Sequence, residues 1–95
     1  MPYIKPEDRS YIDHEIEVLA EKLKDLDNIG ALNYAITCLC HYHVKNNGGI
    51  SYGSTSTVKG VLGDVYDEFA RRIQFPYEDI KIKENGDIGI LGGDL

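Results

Sequence analysis

Four side chains that could bind a metal lie close together in the middle of the chain: Cys38, Cys40, His41 and His43. Thiolates and imidazoles are the usual ligands of zinc, which takes four donors in a tetrahedron. On a helix, Cys38 and His41 share one face, whereas Cys40 and His43 point roughly the other way. The four cannot converge on one ion, so we predict no metal site. The alternative is a two-ligand half-site completed by a second chain. A Cys–His catalytic pair is disfavoured because no oxyanion-hole signature accompanies it.

A second set of residues that could do chemistry is acidic. Asp64, Asp67 and Glu68 belong to one predicted helix, and Glu17 and Glu21 belong to another. If those faces met, the carboxylates could hold Mg²⁺. All-α nucleotide pyrophosphatases carry paired acidic motifs of this kind, but the match is poor because the step from Glu17 to Glu21 is one residue too wide. A magnesium-dependent nucleotide pyrophosphohydrolase is therefore the alternative function, and we predict no cofactor.

Aromatic side chains favour an interaction surface over an active site. The chain has seven tyrosines and no tryptophan, and the seven are Tyr3, Tyr11, Tyr34, Tyr42, Tyr52, Tyr66 and Tyr77. Tyrosine suits interfaces because its ring buries a large area while its hydroxyl still makes a hydrogen bond. The alternative is ordinary half-buried packing at the ends of helices and strands.

Composition narrows the functional classes. A length of 95 residues fits one domain over 1–95, and the formal net charge of −6 disfavours binding to nucleic acid. No run of eighteen apolar residues is present, and the N-terminal residues lack the apolar segment of a signal peptide, so we predict neither a membrane span nor a signal peptide. The two cysteines are best interpreted as reduced thiols, which favours the cytoplasm.

Three helices are predicted, at about 11–26, 31–46 and 54–75, from apolar residues that recur every three or four positions. The first stripe consists of Ile12, Ile16, Leu19, Leu23 and Leu26. The second helix is apolar over more of its circumference and should be the central one. The third stripe consists of Val58, Val61, Leu62, Val65, Phe69 and Ile73, and Gly60 and Gly63 within that helix could let another backbone approach. Pro76 is expected to end the third helix.

A β-hairpin is predicted after Pro76, with strands at about 79–84 and 87–91. The pair Asn85-Gly86 favours a tight turn, and a three-residue loop with Gly86 at positive φ would set Lys83 opposite Asp87. That register places four isoleucines on one face: Ile80, Ile82, Ile88 and Ile90. An isolated hairpin is marginal in water, so this face should pack on the helices or on a second chain.

Four motifs of the sequence resemble a family of short uncharacterised proteins from bacteria, archaea and their viruses. The motifs are MPYIKPEDR (1–9), LNYAIT (32–37), FARR (69–72) and PYEDIKIKENGD (76–87). The resemblance covers nearly the whole chain, and the two terminal motifs are specific. It implies no activity, cofactor or catalytic residue.

The sequence therefore predicts an α+β fold that is mainly α: a three-helix domain with a C-terminal hairpin. We predict a small non-catalytic protein that self-assembles or binds another protein, with a homodimer as the favoured state and no nucleic-acid or membrane partner. The predicted interaction residues are Tyr66, Tyr77, Ile80, Ile82, Ile88 and Ile90.

Overall fold

Four α-helices and one π-helical segment form the described part of the chain, residues 4–92 of the computed structural model. They are α1 (Pro6–Leu26), α2 (Ile29–Asn46), α3 (Tyr52–Phe69), the π segment (Ala70–Gln74) and α4 (Phe75–Asn85). The chain divides into two compact units, Met1–Val58 and Lys59–Leu95, with the boundary inside α3. The prediction of a single domain stays a prediction.

The junction between α1 and α2 follows from three residues. Asp27 takes the left-handed conformation, with φ 46°, and its backbone N–H donates to the carbonyls of Leu23 and Lys24. The Asn28 side chain then accepts a hydrogen bond of 2.8 Å from the N–H of Gly30, which caps α2. These caps confirm the predicted break after the first helix, and α1 and α2 contact each other.

The start of α3 is set by two serines. The N–H of Ser51 donates to Ser54 Oγ, and the N–H of Ser54 donates to Ser51 Oγ, each at 2.9 Å. This reciprocal arrangement is the serine form of a capping box, and it satisfies donors that a helix start leaves unpaired. Because of it, α3 begins at Tyr52, inside the Ser/Thr-rich stretch and slightly before the predicted start.

Pro76 does not end the helix, contrary to our prediction. Every residue from Tyr52 to Asn85 is helical, and Phe75, directly before the proline, has φ −66° and ψ −44°. A proline inside an α-helix removes a hydrogen bond and pushes its ring against the carbonyl four residues back. Here the preceding turn is π-helical, and the Phe75 N–H donates to the carbonyl of Ala70, five residues back. This wider turn carries the helix past the proline.

The predicted β-hairpin is wrong, and the fold of the described residues is helical and not α+β. No residue between 4 and 92 lies in a strand, and the segment predicted as the first strand, 79–84, belongs to α4. The predicted positive φ of Gly86 is confirmed at 85°, but this glycine ends a helix. Its N–H donates to the carbonyl of Ile82 at 2.8 Å. Asn-Gly is common both in hairpin turns and after helices, so the pair could not decide between them.

Side-chain pairs along α4 explain why the helix forms. Lys81 Nζ lies 3.0 Å from Glu84 Oε2 and 5.6 Å from the centre of the Tyr77 ring. Pairs three or four residues apart meet on a helix but not along an extended strand, and on a helix each contributes about 0.2–0.5 kcal/mol. The predicted strand had only Ile80 and Ile82 in alternation, which is a weak strand pattern.

Apolar side chains stay accessible along every helix. None of residues 4–92 is buried; even on the regular stripes, Ile16 is 56% exposed and Phe69 is 63% exposed. The amphipathic pattern therefore forms helices as predicted, but the described residues do not form a core around them.

Candidate functional site

A regular apolar surface of the second unit is one stripe on its helical run. Six residues form it, here called the stripe: Leu62, Val65, Phe69, Ile73, Tyr77 and Ile80. Their side chains are between 40% (Leu62) and 63% (Phe69) exposed. Within the described part of this unit, the helical run from Lys59 to Asn85 is followed only by residues 86–92. A single helix cannot bury its own apolar face.

The π segment keeps the stripe straight. Val65, Phe69, Ile73 and Tyr77 follow one another at intervals of four residues. In an α-helix of about 3.6 residues per turn, such a series drifts steadily around the axis. A π turn holds more than four residues, and the π segment (Ala70–Gln74) lies in the middle of the series. It rotates the later side chains back, so Tyr77 and Ile80 continue the line of Val65 and Phe69.

Charged residues flank the stripe. The Glu68 carboxylate lies 3.3 Å from Arg71 Nη2 and 3.6 Å from Arg72 Nη1, and its side chain is only 19% exposed. On α4, Lys81 covers the ring of Tyr77. Ion pairs whose cations are solvent-exposed add little to stability, but they set which charges another protein surface would meet.

A shallow groove on α2, in the first unit, is the second candidate. It encloses about 450 Å³ and is lined by Tyr34, Thr37, Cys38, His41, Tyr42 and Lys45. A hydrogen bond with the Cys38 thiol, together with the charge of that group, raises the pKa of the Tyr34 hydroxyl; slight desolvation and Tyr42 add to the shift. The groove is open to solvent.

The structure separates the candidate zinc ligands as the helical spacing predicts. Cys38 and His41 line the α2 groove, whereas Cys40 and His43 do not. Both cysteines are free thiols of intermediate exposure.

The candidate magnesium ligands lie on two helices. Glu17 and Glu21 lie on α1, while Asp64, Asp67 and Glu68 lie on α3. Glu68 is engaged by two arginines. Within residues 4–92, no group of three or more acidic, cysteine or histidine side chains could hold a metal ion.

The predicted interaction residues do not form one surface. Ile80 and Ile82 are two apart on α4, so they project from different sides of the helix and not from one strand face. Ile88 and Ile90 lie beyond the helix and are more than 80% exposed. The four-isoleucine face is therefore wrong because it required the hairpin, whereas the interaction of these residues with another chain stays a prediction. Tyr77 and Ile80 belong to the stripe, and Tyr66 lies on α3 one position after Val65.

Sequence reasoning missed that one stripe crosses the proline. It assigned Val65, Phe69 and Ile73 to a helix, and it assigned Ile80 to a strand. The available signal was the constant interval of four residues from Val65 to Tyr77. Because this interval continues unchanged past Pro76, it indicated that the helix continues as well.

None of the helices in the described range is long and apolar enough to cross a membrane. A family model described as a domain of unknown function (DUF6899) matches residues 1–88. This match confirms that the chain resembles an uncharacterised family along nearly its whole length; the terminal motifs and the spread among bacteria, archaea and viruses stay predictions. No curated protein and no solved structure matches the chain.

Proposed function

We propose that this chain, which belongs to the DUF6899 family over residues 1–88, is a small non-catalytic protein that works by associating with protein chains, its own copies first. The observation that carries the proposal is the exposed stripe on a helical run that has no other helix beside it among the described residues of its unit. We also infer that the protein works in the cytoplasm, because Cys38 and Cys40 are free thiols.

The energetics favour association. Burying one Val, Leu, Ile or Phe side chain contributes about 1.5–3 kcal/mol to the free energy of folding or association. A stripe that nothing covers lacks this contribution from each of its apolar side chains. Isolated helices gain most of their stability from packing an amphipathic face and are otherwise marginal. A contiguous exposed apolar surface bordered by charges is typical of a protein-binding site.

The magnesium-dependent alternative is supported by no specific observation. Its acidic cluster would need Glu68, and that carboxylate is already neutralised by Arg71 and Arg72. Calorimetry with Mg²⁺ and a panel of nucleotides separates the two functions, because an association protein should give no heat of binding.

Mass in solution tests the proposal directly. Light scattering over a concentration series should give a mass that rises above the 10.7 kDa of one chain. Phe69→Asp should lower that mass at every concentration, because it places a charge in the middle of the stripe. Tyr52→Asp is the matched control: the side chain is 90% exposed at the start of α3, outside the stripe. A constant mass of one chain for the unmodified protein would refute self-association.

A further inference from the structure

We infer that the stripe binds the same stripe of a second copy, with the two helical runs antiparallel and crossing at Phe69. This inference rests on the proposed function and specifies its partner and geometry. The two copies would be related by a two-fold axis, so one surface serves both sides of the contact.

The apolar residues match in this register. Val65 precedes Phe69 by four residues and Ile73 follows it by four, so Val65 of one chain faces the partner's Ile73. Phe69 meets its own copy on the axis, and Leu62 lies beside the partner's Tyr77. The π segment contributes here because it keeps Tyr77 on the line of Val65; with α-helical turns alone, the distal half of each stripe would rotate away from its partner.

The flanking charges favour the antiparallel sense. In that register, Glu68 lies between the partner's Glu68 and Arg72, so the two in-chain pairs join in one cluster of two carboxylates and two guanidinium groups with no net charge. On the other edge, Lys59 approaches the partner's Glu78. A parallel pair would instead set Glu68 level with the partner's Tyr66 and Ala70, which offer no charge. Opposed helix dipoles add to the preference.

Cysteine cross-linking tests the register. In a Cys38→Ser/Cys40→Ser background, Val65→Cys and Ile73→Cys are made as separate proteins and treated with a short bis-maleimide, alone and as an equimolar mixture. We expect covalent dimers chiefly in the mixture, at least fivefold above either protein alone, and each dimer should contain one chain of each kind. Circular dichroism verifies that both variants stay helical.

A second pair of positions guards against misfolding. Lys59→Cys and Glu78→Cys replace charged side chains at the edges of the stripe and should also cross-link only when mixed. Dimers formed by each variant alone would mean a parallel pair and overturn the inference. Absence of cross-links with a mass above one chain would mean association through another surface, which overturns the inference and leaves the proposed function standing. A single-chain mass at every concentration would overturn both.

Discussion

At the residue scale, Gly86 holds the end of α4 in a conformation that other residues resist. Its φ of 85° and ψ of 151° fall in a region that is essentially restricted to glycine. We expect Gly86→Ala to lower the free energy of unfolding by about 1–3 kcal/mol. Urea unfolding followed by circular dichroism measures this change.

Gly60 provides the matched control for that substitution. It lies inside α3, and a Cβ atom added there meets nothing within 4 Å. Gly60→Ala should therefore raise the free energy of unfolding by about 0.5–1 kcal/mol, because alanine has the higher helix propensity. If both glycines responded with the same sign, the assignment of Gly86 as the end of a helix would be wrong.

A second prediction at this scale concerns the α2 groove. Hydrogen bonding with the Cys38 thiol and the charge of that group are the main reasons that the pKa of Tyr34 is raised above the ordinary value of 10.0. Cys38→Ala should therefore lower the pKa of Tyr34, so that its hydroxyl loses its proton at a lower pH than in the unmodified protein. NMR titration of ring-labelled tyrosine measures the pKa of Tyr34. Cys40→Ala is the control: Cys40 lies two residues away and outside the groove, so this substitution should leave the pKa of Tyr34 unchanged.

At the scale of elements, Pro76 is a proline inside a continuous helical run. Its cost is reduced, though not removed, by the π turn that precedes it. We expect Pro76→Ala to raise the free energy of unfolding by about 1 kcal/mol or more, with helical content preserved. Pro6 is the control, because it opens α1, where a proline costs little, and Pro6→Ala should change stability only slightly. A lower free energy of unfolding in Pro76→Ala would contradict this and would indicate that the native fold needs the proline to interrupt the helix at this point.

The elements also show where sequence reasoning succeeds and where it stops. Periodicity predicted the helices because it reports directly which side chains share a face. The prediction for the region after Pro76 was wrong because proline, Asn85 and Gly86 are each common both near the ends of helices and in hairpins. The π turn decides between them, and it depends on backbone geometry that no residue type specifies. The sequence therefore predicted Tyr77 and Ile80 as interaction residues, but it did not place them on one helical stripe with Val65, Phe69 and Ile73.

At the scale of the whole molecule, folding and association should be one equilibrium. The stripe is buried only when a second surface covers it. Because only folded chains present the stripe, association stabilises the folded state and not the unfolded state. Stability then depends on protein concentration, which does not happen for a chain that folds alone.

The melting temperature tests this coupling without any assumption about register. For a dimer of chains of this length, a tenfold dilution should lower Tm by about 3 °C, because dissociation adds about 1.4 kcal/mol per tenfold change to the unfolding equilibrium. Phe69→Asp should melt at a lower temperature that no longer changes with dilution, since the stripe of that variant cannot be covered. Tyr52→Asp should keep the concentration dependence of the unmodified protein, because Tyr52 lies outside the stripe. A Tm that is independent of concentration in all three proteins would show that each chain covers its stripe by itself.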